Sequence, residues 1–305
     1  MPDYVLSCYY ITMRIRAFEV DEPIPELEET HAFAMLNPWV DVGSVGTLVL
    51  SWLEEHYKAK DLARLARPGD FFDFTRYRPT SRIRGEQRQV TVPNTFVTYS
   101  KQETGSDVLF LRMLEPHSHG EVYIDSILRL LARFNVKKYF LIGSMYDYVP
   151  HTRPLIVTGG AVGKGMQQQM ENMRVKYSNY QGPTSISFLI SQRAPEFDIE
   201  TSSLIVHLPQ YTQMEEDYMG TVRIMEMLSS IYGIPLKEPY IRRADKQKEQ
   251  INQALNKNPE LKTIIEQLEN NYEDRSEPRQ NEDDTRLSPE VEKFLSEMDR
   301  RFRED

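Results

Sequence analysis

Lys137-Lys138-Tyr139-Phe140-Leu141-Ile142-Gly143-Ser144-Met145-Tyr146-Asp147-Tyr148-Val149-Pro150-His151-Thr152-Arg153-Pro154-Leu155-Ile156-Val157-Thr158 is the stretch around which the chain is organised. Its apolar run, Tyr139 to Ile142, stops at Gly143 and opens into a loop closed by prolines. A short apolar run bounded by Gly and Pro reads as a strand buried on both faces, the kind found in parallel sheets. The loop therefore lies at a strand's carboxyl end, where open α/β sheets bind ligands and partners. Asp147, His151 and Arg153 bring an acceptor, a titratable ring and a fixed cation to that loop.

The elements on either side repeat the pattern. His31 to Leu36 and Val108 to Leu111 are apolar runs of strand length, and Leu204 to Leu208 is another. Between them, Val45, Leu48, Val49, Trp52 and Leu53 recur at helical spacing, as do Tyr123, Ile127, Leu130, Leu131 and Phe134. Val222, Met225, Leu228 and Tyr232 lead to a stop at Gly233. Strands alternating with helices predict an α/β fold with a mainly parallel sheet. Residues 14–20 read as an edge strand stopped by Pro23 and Pro25, and Leu62 to Leu65 as a short strand. Val90 to Val92 and Thr95 to Tyr99 read as a strand pair turning at Pro93-Asn94, an antiparallel excursion from the sheet. Thr184 to Arg193 reads as a helix packing Ile186, Leu189 and Ile190.

At 305 residues the chain can bury a substantial core without staples. Its one cysteine, Cys8, excludes an intrachain disulfide and a cysteine metal site, and fits a cytoplasmic setting. A net charge of −9 argues against a general nucleic-acid binder. The apolar segment Val5 to Met13 has no basic leader and is too short to span a membrane, so neither secretion nor insertion is expected. Charge concentrates after Tyr240, where the last 64 residues hold 13 Lys/Arg and 17 Asp/Glu. We read residues 1–240 as an α/β core and 241–305 as a charged helical extension. Ile251 and Leu255, then Leu261, Ile264, Ile265 and Leu268, predict two helices broken at Asn258-Pro259, with a mobile linker at about 273–287. Ser288-Pro289 then opens a final helix with Val291, Phe294, Leu295, Met298 and Phe302 on one face, suited to self-association.

Several motifs invite chemistry. Gly43 and Gly46 lie between a strand and a helix, where backbone N–H groups can hold an anion; Asp41 would repel one, and the glycines equally let the turn pack. Gly159 to Gly165 lacks the leading Gly and trailing Ser/Thr of a phosphate-binding loop and reads as a flexible connector. His117, His119 and Glu121 have metal-compatible spacing, but no third histidine is near, and they suit a polar helix start. No metal or cofactor is expected. His207, inside a strand, reads as a core or near-core histidine. In the 147–153 loop, His151 could act as an acid or base oriented by Asp147 while Arg153 holds an anion. The same groups could equally bond loop backbones or an interface, and no Ser or Cys nucleophile motif accompanies them.

The order Gly43-Ser44-Val45-Gly46, Asp70-Phe71-Phe72-Asp73-Phe74, Glu115-Pro116, Val149-Pro150-His151-Thr152-Arg153-Pro154 and Leu208-Pro209-Gln210-Tyr211 resembles the proteasome assembly chaperone family, the group related to the second eukaryotic assembly chaperone. The resemblance covers roughly residues 14–240. It implies a nucleoside-phosphorylase-like α/β architecture, homo-oligomers, and ATP-independent protein binding with proteasome subunits among the partners. Members that engage the proteasome often end in a hydrophobic residue, Tyr and one further residue. This chain ends Arg303-Glu304-Asp305, so docking through that end is not expected. The binding edge so implied comprises Asp41, Gly43, Ser44, Gly46, Glu115, His151, Arg153 and Tyr211. The competing expectation is a hydrolase or phosphorylase-like enzyme using the same edge as a pocket.

Overall fold

The structure, a computed structural model, describes residues 12–85, 87–255 and 259–276. The chain begins with β1 (Thr12–Ile15), β2 (Phe18–Asp21), β3 (Thr30–Asn37), α1 (Val45–His56) and β4 (Lys60–Leu65). A hairpin of β5 (Thr80–Arg84) and β6 (Gln87–Thr91) precedes β7 (Phe96–Ser100), β8 (Val108–Leu114), α2 (Gly120–Arg133) and β9 (Val136–Asp147). The second half contains β10 (Val157–Gly159), β11 (Ala161–Val162), α3 (Lys164–Asn172), β12 (Lys176–Tyr177), α4 (Ile186–Arg193) and β13 (Glu200–Pro209). It closes with α5 (Tyr218–Tyr232), α6 (Glu238–Leu255) and α7 (Pro259–Ser276).

Four parallel strands in the order β8-β3-β9-β13 form the centre of the main sheet. The expected parallel sheet is thus a parallel core with antiparallel wings: β7, β4, β2 and β1 extend one side, and β10 and β11 pair with β13 on the other. Alternation within β3 and β9 splits the core in two. Phe33, Phe140 and Ile142 face the layer of α1, α3 and α5, while Ala32, Ala34, Tyr139 and Leu141 face α2 and α4. Phe33 stacks on Phe110 and Phe140 with centroids 5.9 and 5.3 Å apart. The α1 stripe is buried at Val45, Val49, Trp52 and Leu53, with Leu50 rather than Leu48 completing it. The whole expected stripe of α2 is buried.

Three local expectations need correcting. The segments 90–92 and 95–99 do not pair: β6 pairs with β5 in a separate two-stranded sheet, and β7 lies between β4 and β8. Local β-propensity identified strand-forming residues but not their partners, because pairing is a long-range choice. Leu189 is 40% exposed and Phe188 49%, so α4 packs through Ile186, Ser187 and Ile190. Residues 159–165 are not a free connector. They form the end of β10, all of β11 and the start of α3, where the Gly165 N–H donates to Glu200 Oε1 at 3.0 Å.

α6 ends at Leu255 and α7 starts at Pro259, and residues 256–258, where the break is expected, lie outside the described residues. The helix starting at Glu238 packs on α5: Gln247 is buried, and its Oε1 accepts the Tyr218 N–H at 2.8 Å. Ile264, Ile265 and Leu268 of α7 are buried, and Tyr272 Oη donates to the Pro154 carbonyl at 2.7 Å. α7 continues to Ser276, into the segment expected to be a linker. The amphipathic segment 288–303 lies outside the described residues.

Candidate functional site at the carboxyl edge of the sheet

The parallel strands end together at Asn37, Leu114, Asp147 and Pro209, so the loops that follow share one edge. After β3 the chain folds back onto β9: Ser144 N–H donates to the Val40 carbonyl at 2.8 Å and Ser144 Oγ to the Val42 carbonyl at 2.6 Å. Asp41 is then buried beneath the start of α1. Its Oδ1 accepts the N–H groups of Gly46 and Thr47 at 2.7 and 3.2 Å, and its Oδ2 accepts Thr47 Oγ1 at 2.7 Å. These are the donors a bound anion would use, so Asp41 is a helix cap. Burial pushes its carboxyl up, with the hydrogen bonds from Thr47, Gly46 and Asn37 opposing.

Gly43, at φ +59°, lies against the loop before α5; a Cβ there would come within 2.7 Å of Asp217 Cβ. Its carbonyl accepts the Asp217 N–H at 2.7 Å, and Asp217 Oδ1 in turn accepts the Gly220 N–H at 2.7 Å, capping α5. Ser44 Oγ donates to the Glu215 carbonyl at 2.9 Å. Gly46 is close-packed for the same reason, with the Ile142 carbonyl 2.9 Å from where a Cβ would stand. The 41–46 turn is a lock between two helix starts.

The ring of His151 is buried, and both of its nitrogens are engaged by residues other than Asp147. Nδ1 lies 2.8 Å from Tyr211 Oη, which also accepts the His151 backbone N–H at 2.8 Å, and Nε2 lies 2.9 Å from Asn252 Oδ1. Asn252 Oδ1 can only accept, so Nε2 carries the proton and gives it to Asn252, and in the neutral ring Nδ1 accepts from the Tyr211 hydroxyl. The ring is neutral, and burial holds its pKa below the ordinary value. The idea that Asp147 orients His151 is therefore corrected: Asp147 Oδ2 binds His207 Nδ1 at 2.7 Å, and His207 Nε2 meets Thr158 Oγ1 at 2.8 Å. The two histidines belong to separate networks. One ties the 149–154 loop to α6; the other crosses β9, β13 and β10. Arg153 is exposed, while its neighbour Thr152 bonds Glu269 of α7.

Glu115, at the end of β8, accepts the Ile186 N–H on Oε1 at 2.9 Å, while Oε2 is enclosed without a hydrogen-bond partner among the described residues. Burial raises its pKa, with the Ile186 N–H opposing. His117 and His119 hold the aromatic loop: His117 Nδ1 accepts the Asp73 N–H at 3.1 Å, and His119 Nδ1 donates to the Asp70 carbonyl at 2.7 Å. Phe71 and Phe72 are thereby buried against Tyr123. Among the described residues no three His, Cys, Asp or Glu side chains converge on a metal position. No described helix is long and apolar enough to cross a membrane.

Sequence reading did not single out Asp217, Asn252 or Thr158. Asp217 was readable as an N-cap, since Asp immediately before a periodic segment with a backbone donor at Gly220 is a helix-start pattern. Asn252 and Thr158 carry no local signal, because each is selected by a partner over 40 residues away.

A profile of the PAC2 family matches residues 35–256, which include every loop of this edge. The chain belongs to the PAC2 family. No curated protein matches it in sequence. The crystal structure of a PAC2 protein from Streptomyces avermitilis is similar, with a TM-score of 0.68 at 21% identity, covering 73% of this chain and 95% of that one. A proteasome-assembly chaperone homologue from Mycobacterium tuberculosis gives 0.68 at 17% identity over 77% and 99% of the two chains. PbaB, an archaeal proteasome activator from Pyrococcus furiosus, gives 0.60 at 14% over 78% and 99%. At these identities the likeness is one of PAC2 fold.

Proposed function

We propose that this PAC2 protein is a cytoplasmic, self-associating assembly factor that binds proteasome subunits without ATP, with a core ending near residue 240 and the helices beyond it as an appended layer. The observation that supports this reading is closure. Asp41 and Asp217 spend their carboxylates on helix starts, and His151 spends its ring nitrogens on Tyr211 and Asn252, rather than aiming them at a shared cavity. An enzyme site needs converging unpaired groups, whereas a scaffold that presents surfaces to another protein needs rigid loops. The names of the Mycobacterium and Pyrococcus relatives supply the partner class.

One feature favours the enzyme reading instead. Asp147, His207 and Thr158 stand in the acid, imidazole and hydroxyl order used by hydrolases, at 2.7 and 2.8 Å. Both readings meet in one experiment: native mass spectrometry of the purified chain mixed with purified proteasome subunits of its own organism, without nucleotide. A retained complex is the expected result. No complex, together with a co-purifying metabolite lost in Thr158→Ala and His207→Ala, would replace the assembly reading with the enzymatic one.

A further inference from the structure

The β5–β6 hairpin stands apart from the main sheet, and all ten of its strand residues are exposed. An isolated two-stranded hairpin is only marginally stable in water, so such an arm gains most from a surface to lie on. Its register gives it two chemistries. Arg82 and Arg84 share a face with Gln87 and Gln89, while Ile83, 71% exposed, and Val90, 59% exposed, share the other with Arg88. From residue 76 to 91 there are five arginines against one glutamate, in a chain whose net charge is −9.

The complementary charge lies in the same molecule at the opposite end. The loop from Asp21 to Glu29, between β2 and β3, carries Asp21, Glu22, Glu26, Glu28 and Glu29 with no Lys or Arg, and four of these acids are exposed. Strand directions fix the two positions. β4 runs parallel to β8, through the antiparallel β7, so the arm that follows β4 leaves at the carboxyl edge. β2 runs opposite to β4, so the loop after it lies at the amino edge, where the Glu28 N–H bonds Asp107 just before β8. The eight residues of β3 separate the two edges by roughly 25 Å. That distance exceeds about three screening lengths at physiological salt, so arm and loop do not pair within one chain.

We propose that the arginine arm of one copy docks on the Asp21–Glu29 loop of a second copy, head to tail, through the face that carries Arg82 and Arg84. Unlike patches at opposite ends make a heterologous interface, which closes into a ring or propagates as a filament. The inference rests on the self-association part of the function proposed above and gives it a surface.

The test is sedimentation equilibrium of the full chain at about 0.05 M and about 0.5 M salt, since an arginine–carboxylate contact weakens as screening rises. Two charge-reversed variants are compared: Arg82→Glu/Arg84→Glu, and Glu26→Lys/Glu28→Lys/Glu29→Lys. Each alone is expected to weaken association about fivefold to tenfold. The chain carrying both reversals recovers it, and circular dichroism checks that each variant is folded. An assembly unchanged by either reversal, or not recovered by the pair, overturns the arm contact while leaving self-association standing. A monomer at every salt concentration overturns both, and proteasome binding is still read independently by mass spectrometry.

Discussion

The loops at the carboxyl edge and the hairpin arm leave the same end of the sheet, and both are rich in charged and polar residues, yet they are opposite in state. At the edge, Asp41, His151 and Asp217 are buried, and their polar atoms are consumed by helix starts and, for His151, by Tyr211 and Asn252. On the arm, the arginines and the apolar pair Ile83 and Val90 are all exposed. A cluster of Asp, His and Arg in a loop is therefore not a site until its hydrogen bonds are counted. A group already paired inside the protein has little left for a partner, and a buried one must stay paired because desolvation without a bond is costly.

That contrast can be broken most forcefully at Gly43. Gly43→Val forces a branched residue to φ +59° and drives its Cβ into Asp217, so a loss of about 3–5 kcal/mol in urea unfolding is expected. A variant as stable as the wild type would show that the turn is free rather than locked. Next comes His151→Ala, which takes from Tyr211 Oη its ring partner and from Asn252 Oδ1 its donor; about 2–3 kcal/mol should be lost, with faster amide exchange in α6. Unchanged exchange in α6 would mean that the histidine does not hold that helix.

The smallest net effect is that of pH. Burial lowers the pKa of His31 to about 4 and also lowers that of His151. An unfolded histidine takes up its proton near pH 6.5, before the folded one does. The stability that His31 confers is therefore complete above that pH and is lost as pH falls toward about 4, and that from His151 is lost in the same direction. Asp41, Asp217 and Glu115 have raised pKa values, bind protons more readily when folded, and work in the opposite direction. Comparing the thermal midpoints of the wild type and His31→Gln between about pH 7 and about pH 5 cancels the carboxylates. The wild type should lose more; equal losses would remove His31 as the cause.

Much of the scaffold is legible in the sequence. The apolar runs at 31–36, 108–111, 139–142 and 204–208 are the four parallel strands, and the stripes of α1 and α2 are buried nearly as spaced. Periodicity is a local property carried by the residues themselves, so it can be read from one chain. The location of the edge followed from the same signal, because a loop after a parallel strand can only lie at its carboxyl end.

What the residues by themselves determined, then, was the layered α/β fold, the loops that gather at one end of the sheet, and the imbalance of charge along the chain. Only the tertiary structure decided the pairings. Asp147 took His207, which alternation places on the strand face opposite Val206 and Leu208, and His151 took Tyr211 and Asn252 from segments 60 and 101 residues away. Val90 found its partner in Ser81 rather than across Pro93. Each of these is a choice among chemically equivalent donors and acceptors, made by which elements pack together, and the reason lies in the accumulated burial of the core rather than in the pair itself.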